Sequence, residues 1–159
     1  MNKQTILSLI DISRIHKTQL LYALNNLSYM FPLTEEKVVN LTQQELILVD
    51  FLVYRFSRLQ DFMGSNLVDA VLIQLNEFSD NLSMIDKMNK LEKLELIEDA
   101  HLWQDMRKLR NQLTHEYPGH PELVAKFLNQ AYPLSFELLE ILNNLLRKLE
   151  STTHEYGSR

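Results

Sequence analysis

The sequence predicts an all-α protein, an up-and-down four-helix bundle with additional short helices. Only three glycines and four prolines occur in 159 residues, whereas 31 residues are leucine, which loses little side-chain freedom in a helix. Apolar residues recur at three- and four-residue steps over most of the chain, the spacing that places them on one helix face. Short links between such helices favour antiparallel neighbours, and a hydrophobic content of 45% is enough for one buried core.

Two long helices are predicted in the first half of the chain. The first covers residues 5–30 and is ended by the proline two residues later, and residues 33–41 are expected to form a connection. Thr42 and Glu45 then predict a capping box, in which the side chain of each residue accepts a hydrogen bond from the backbone N–H of the other. The helix that begins there is expected to break or kink at Gly64 before helical spacing resumes.

The second half predicts three more helical segments. Ser83 is placed to cap the first of them, and the second covers residues 99–115, before a proline. The third segment carries the most regular apolar stripe of the chain, and Pro133 is expected to kink or divide this helix. We therefore expect one helical-bundle domain over residues 1–150, followed by a disordered polar tail over residues 151–159.

Composition and charge exclude several classes of protein. The chain has no cysteine, which excludes disulfides, thiolate nucleophiles and cysteine-ligated metals, and this favours a reducing, cytoplasmic location. Its 16 basic and 21 acidic residues give a net charge of −5, so any site for a polyanion must be local. The amino terminus lacks a long apolar run, so we expect neither a signal peptide nor a membrane span.

Most enzyme motifs are also absent. Three scattered glycines cannot form a glycine-rich phosphate loop. His115 and Glu116 resemble the start of a zinc-protease helix, but Gly119 stands where the second histidine would be required. We therefore expect neither a metal nor a cofactor.

Residues 107–117 form the tightest basic cluster of this acidic chain. Asn111 and His115 are four residues apart, about 40° around a helix axis, so they share one face. Arg110 precedes His115 by five residues, about 140° around the axis. The two can converge only through the length of the arginine, a loosened last helical turn, or a second subunit.

Ordinary structural roles also explain part of this stretch. Arginine and histidine near the carboxyl end of a helix interact favourably with its dipole and need no other function. The apolar residues of the same helix are predicted to be core rather than ligand-binding, and they are Trp103, Met106, Leu109 and Leu113.

The stretch resembles a known family of helical proteins. Its motif residues are Arg110, Asn111, His115 and Tyr117. The first three match the R-N-x-x-x-H form of the HEPN domain family, and the tyrosine extends the match to the R-x4-H-x-Y pattern of HepT-like toxins. Residues 54–61 also resemble the second helix of that family, whose architecture is a helical bundle like the one predicted here.

The resemblance implies a metal-independent endoribonuclease that acts as a toxin. Its partner would be a nucleotidyltransferase antitoxin, which silences the toxin by attaching adenylate to Tyr117. We expect the hydroxyl of this tyrosine to be exposed near the cleft, because Pro118 restricts the backbone just after the helix.

The residue types fit RNA chemistry, because RNA supplies its own nucleophile in the ribose 2'-hydroxyl. His115 is the candidate general base, Arg110 the partner of the phosphate, and Asn111 would orient the imidazole or the phosphate. A single histidine does not readily act as base and acid at once, so we expect a homodimer with two motifs in one cleft, alone or within a larger assembly with the partner. Further candidates are Arg107 and Lys108 for RNA binding and Asp61 in a supporting role.

Two other functions remain open at this point. The chain could be a catalytically silent helper that presents a nucleotide or substrate to a nucleotidyltransferase. It could also be a plain helical scaffold with no activity. A test that separates them is expression of the chain alone, because toxicity under that condition supports the nuclease and neither of the other two functions.

Overall fold

The computed structural model describes residues 1–155, which form helices and no strand within that range. The all-α prediction is therefore confirmed. The helices are α1 (Lys3–Leu27), α2 (Glu35–Val39), α3 (Gln43–Phe62), α4 (Val68–Gln74), α5 (Met84–Lys93), α6 (Ala100–Leu113) and α7 (Pro121–Glu155). Four long segments, α1, α3 with α4, α6 and α7, pack around one leucine-rich core, and the short helices α2 and α5 complete the bundle.

The predicted caps are present. The Thr42 hydroxyl accepts a hydrogen bond from the Glu45 N–H at 3.1 Å, and the Glu45 carboxylate accepts one from the Thr42 N–H at 3.0 Å. Ser83 caps α5 in the same manner with Asp86. These reciprocal bonds satisfy backbone donors that the first helical turn leaves unpaired, so local sequence alone fixes where both helices begin.

The predicted connection over residues 33–41 contains a short helix, α2. Thr34 caps it by accepting from the Lys37 N–H at 3.1 Å, and two glutamates occupy its first turn, where the helix dipole favours negative charge. The segment before it is held to α7, because the Asn129 side chain bonds both the N–H and the carbonyl of Leu33, at 2.6 and 2.9 Å. This clamp fixes the position of α2 beside the carboxyl end of α6.

Gly64 marks the predicted irregularity in the second long helix. The backbone stays helical from α3 into α4, but residues Met63–Leu67 form a π-helical turn, whose backbone hydrogen bonds span five residues where those of an α-helix span four. A Cβ atom at Gly64 would lie 3.1 Å from the ring of Trp103, itself 3% exposed. The glycine therefore lets α6 approach the turn closely.

Helix α7 is undivided at Pro133 and extends further along the chain than predicted. Pro133 lies inside the helix and does not divide it, because buried Leu128 and Leu138 anchor the turns on either side to the core. The helix also extends into the predicted tail. Hydroxyl groups of three residues after position 150 bond to backbone carbonyls one turn earlier, and the helix ends at residue 155. Residues 156–159 of the predicted tail lie outside the described residues.

No helix in the part of the chain that the structure describes is both long enough and apolar enough to cross a membrane.

Candidate functional site

The candidate site lies at the carboxyl end of α6. Asp99 caps the other end of this helix, accepting from the His101 N–H at 2.8 Å. The four apolar residues that the sequence predicts as core do face the bundle: three are buried and Leu113 is partly buried, and together they fix which side of α6 faces solvent.

Helix α6 ends earlier than the prediction of a helix over residues 99–115. The helix ends at Leu113, and the His115 N–H donates to the Gln112 carbonyl, three residues back, at 3.3 Å. Such bonds tighten and end a helix. His115 therefore lies one residue beyond the cap residue Thr114, on exposed backbone.

A tight turn follows. The His120 N–H donates to the Tyr117 carbonyl at 3.0 Å, and Gly119 has a φ of 76°. Proline followed by a left-handed glycine is the pattern of a type II turn, and any other side chain at Gly119 would be strained. The turn sends the chain back into α7 and holds Tyr117 under the end of α6.

Asn111 and His115 line one exposed groove, as their shared helix face predicts. This α6 groove has a volume of about 420 Å³ and is lined by Gln104, Arg107, Lys108, Asn111, Gln112 and His115. All six lie on α6 or just after it, and no aspartate or glutamate of residues 1–155 lines the groove. The two predicted RNA-binding residues, Arg107 and Lys108, therefore line the same groove as His115, the candidate general base. Gln104 and Gln112 also line it, and neither was singled out from the sequence.

Arg110 lies outside the α6 groove. Its guanidinium donates to the Asp61 carboxylate at 2.7 Å, an ion pair between α6 and the end of α3. The Arg110 side chain is 32% exposed, and its Nε is buried with no hydrogen-bond partner among the described residues. The structure therefore joins Asp61 to Arg110 and separates both from Asn111 and His115, as the angle around the helix requires.

The Tyr117 hydroxyl was expected to be exposed, and that expectation is wrong. The residue is partly buried, its hydroxyl donates to the Gln112 carbonyl at 2.8 Å, and its ring lies 5.2 Å from that of Phe127. Carbonyls at the end of a helix lack intrahelical donors, so the hydroxyl satisfies one of them. Sequence could not indicate this bond because it depends on the type II turn.

A second groove, which the sequence did not indicate, lies on the other side of His115. We call it the apolar groove. It has a volume of about 680 Å³, and its walls come from the α2 region, α3, the end of α6 and the start of α7. Its apolar lining includes Val38, Val49, Val53, Leu113, Val124 and Phe127, and its polar rim includes Asp50, Tyr54, Ser57, His115, Glu116 and Tyr117.

Charge divides the two grooves. The α6 groove has two cations and no carboxylate, whereas the apolar groove has two carboxylates, and no lysine or arginine of residues 1–155 lines it. His115 belongs to both. Neither groove offers a metal centre, because no group of three or more His, Cys, Asp or Glu residues suited to a metal occurs in the described range.

Comparison of the chain with protein-family models, with curated proteins and with solved structures finds no significant match.

Proposed function

We propose that the chain is a metal-independent endoribonuclease that acts as a toxin. The observation that supports this most directly is the α6 groove, where His115 and Asn111 open onto solvent beside Arg107 and Lys108. In a protein with a net charge of −5, this groove supplies the local positive field that RNA binding requires.

The chemistry follows from the residue types. The His115 imidazole takes the proton of a ribose 2'-hydroxyl, the 2'-oxygen bonds to the adjacent phosphorus, and the bond from phosphorus to the 5'-oxygen breaks. The leaving 5'-oxygen takes up a proton, and the products end in a 2',3'-cyclic phosphate and a 5'-hydroxyl. Asn111, on the same helix face, orients the imidazole or the phosphate.

The cations of the site have separate tasks. Arg107 and Lys108 are exposed in the groove and neutralise RNA phosphates as RNA binds. Arg110 stabilises charge on the reacting phosphate, using a side chain whose Nε has no partner within residues 1–155. To reach the groove, Arg110 must loosen its ion pair with Asp61.

We infer a homodimer, because the leaving oxygen requires an acid while His115 acts as base. A two-fold axis beside the α6 groove supplies a second His115 for this step. The same arrangement doubles the local positive charge of the cleft.

The proposed partner is a nucleotidyltransferase that adenylylates Tyr117 in the cytoplasm, where RNA and ATP are available. The Tyr117 hydroxyl gives up its proton to a base of the nucleotidyltransferase, its oxygen bonds to the α-phosphorus of ATP, and the bond from that phosphorus to the leaving pyrophosphate breaks. Because the hydroxyl bonds to the Gln112 carbonyl, it must be released before it reacts. The attached adenylate brings bulk and negative charge beside His115, which lines the apolar groove together with Tyr117, so RNA is kept from the histidine and cleavage stops.

A catalytically silent helper subunit is the second candidate, favoured by the ion pair that neutralises Arg110. One experiment separates the two. The purified chain is incubated with total RNA, with and without EDTA, and with a DNA or 2'-O-methyl copy of a cleaved sequence. The nuclease cuts only unmodified RNA, resists EDTA and leaves cyclic phosphate ends, whereas intact RNA would contradict the proposal.

A further inference from the structure

We propose that the apolar groove is the base-recognition site of the nuclease and that it binds guanine. This inference rests on the proposed function, because it places one nucleotide of the RNA substrate across His115. The base occupies the apolar groove, the ribose lies at His115, and the 3'-phosphate occupies the α6 groove.

The division of charge at His115 supports this placement. Phosphate is attracted to the side with Arg107 and Lys108, and it is repelled from the side with Asp50 and Glu116. The ribose 2'-hydroxyl lies between the base and the 3'-phosphate of the same nucleotide. A nucleotide with its base in the apolar groove and its 3'-phosphate in the α6 groove therefore presents that hydroxyl to His115, which lines both grooves.

The lining of the apolar groove suits a nucleobase. Tyr54 stands on its rim with 53% of its surface exposed, and the guanidinium carbons of Arg55 and Arg58 lie 5.8 and 6.0 Å from the centre of its ring. Stacking on aromatic side chains and hydrogen bonding along the Watson–Crick edge are the usual means by which proteins read single-stranded RNA. The aliphatic floor, with Val49, Val53 and Leu113, buries the faces of a flat aromatic ring.

Asp50 selects among the four bases. An ionised carboxylate only accepts hydrogen bonds, and its two oxygens can receive two parallel donors. Guanine presents two adjacent donors, N1–H and N2–H, on its Watson–Crick edge. Adenine and cytosine place an acceptor beside their single amino group, and uracil places an acceptor on each side of its N–H. Only guanine therefore offers the Asp50 carboxylate two parallel donors.

Binding is measured with the intact wild-type chain and four nucleoside 3'-monophosphates, which cannot be cleaved, by isothermal titration calorimetry. We expect 3'-GMP to bind about tenfold more tightly than the other three, the discrimination typical of one bidentate contact. Asp50→Asn should abolish this preference. Asp80→Asn, which changes an exposed aspartate in the link between α4 and α5, is the matched control and should keep it.

Cleavage is measured in parallel by sequencing the RNA ends that the wild-type chain produces. Ends that map after guanosine, together with the 3'-GMP preference, support the inference. Cleavage after all four bases with equal nucleotide binding overturns it and leaves the nuclease intact. A preference for 3'-AMP also overturns it. Binding of 3'-GMP without any RNA cleavage supports the base site and contradicts the nuclease.

Discussion

Arg110 and Asp61 are joined by a 2.7 Å ion pair that links the last turns of α6 and α3. The pair turns the guanidinium away from the groove that contains His115. In the proposed nuclease, RNA phosphate must therefore compete with the Asp61 carboxylate for this arginine. The pair holds Arg110 close to the cleft and lowers its attraction for anions until a substrate displaces Asp61.

Arg110→Ala should lower RNA cleavage by about two to three orders of magnitude, the effect of removing one donor to transition-state charge. The free energy of unfolding should change by less than about 1 kcal/mol, because both partners are substantially exposed. Single-turnover cleavage and urea unfolding measure the two effects. Arg14→Ala removes a comparable exposed ion pair, with Glu150, and should leave cleavage unchanged. Cleavage by a folded Arg110→Ala at the wild-type rate would remove Arg110 from the mechanism.

Asp61→Asn should increase RNA affinity, because Arg110 no longer has a competing carboxylate. The slope of log affinity against log salt should steepen by about 0.7, the value for one additional phosphate contact to a single strand. Filter binding over a salt series, using His115→Ala protein to prevent cleavage, measures this slope. Asp11→Asn is the control for the loss of one negative charge elsewhere. An unchanged slope in Asp61→Asn would show that the pair does not restrain Arg110.

His115→Ala should lower cleavage by about two to four orders of magnitude, the usual contribution of a general acid or base. The exposed position after α6 makes a folding defect unexpected. His120→Ala, an exposed histidine beside Glu122 in the same connection, should cleave normally. A cleavage assay of both purified variants checks this, and equal loss in the two would point to a disturbed loop rather than to a catalytic His115.

Tyr117→Phe should keep the aromatic packing on Phe127 but lose the hydrogen bond to the Gln112 carbonyl. We expect a stability loss of about 0.5–1.5 kcal/mol, measured by urea unfolding. The variant should retain cleavage and resist silencing by the nucleotidyltransferase and ATP. Intact-mass spectrometry reports the adenylate, and Tyr132→Phe on α7 is the control. Full modification of Tyr117→Phe would exclude this tyrosine as the acceptor.

Glu45 should make stability depend on pH. Hydrogen bonds from the Tyr29 hydroxyl, the Lys37 ammonium and the Thr42 backbone lower the pKa of Glu45 from 4.5 to about 2. The folded state therefore holds this proton less tightly than the unfolded state, so the stabilisation is complete above about pH 4.5 and is lost as the pH falls toward about 2.

Glu45→Gln tests this dependence. The variant should be less stable than the wild type at pH 7, and the difference should shrink at pH 3. Urea midpoints at the two pH values measure it, and Glu35→Gln in the exposed first turn of α2 is the control. A difference that stays constant between pH 7 and pH 3 would mean that the pKa of Glu45 is not depressed.

Sequence predicts this fold well wherever the determinants are local. Capping by Thr42 and Ser83 depends on residues within one turn, and the apolar stripes follow from helical spacing, so both are readable from the chain. Pro133 does not divide α7, because its local cost is outweighed by burial of the turns around it. Helix α7 continues past the predicted boundary at residue 150 to residue 155, and hydroxyl groups in this last part bond to carbonyls of the preceding turn.

Only the part of the candidate site that lies on or next to α6 can be predicted from the sequence. Asn111 and His115 share a groove because they are four residues apart, with Asn111 in the last turn of α6 and His115 two residues beyond its end. The apolar groove brings together four separated parts of the chain, and no spacing rule relates Asp50 or Val38 to His115. The Tyr117 hydroxyl bond likewise needs the turn at Gly119, whose consequence for a distant side chain appears only in three dimensions.

Helix α7 packs against α1, α2, α3, α4 and α6, and it follows all of them in the chain. During synthesis the earlier helices emerge from the ribosome first, before the surface that covers their apolar faces exists. The wall of the apolar groove formed by Val124 and Phe127 is likewise missing until α7 has emerged. A ribosome-bound chain that stops before residue 121 therefore has His115 but not the complete apolar groove. The order of synthesis therefore delays assembly of the apolar groove until α7 is free to fold.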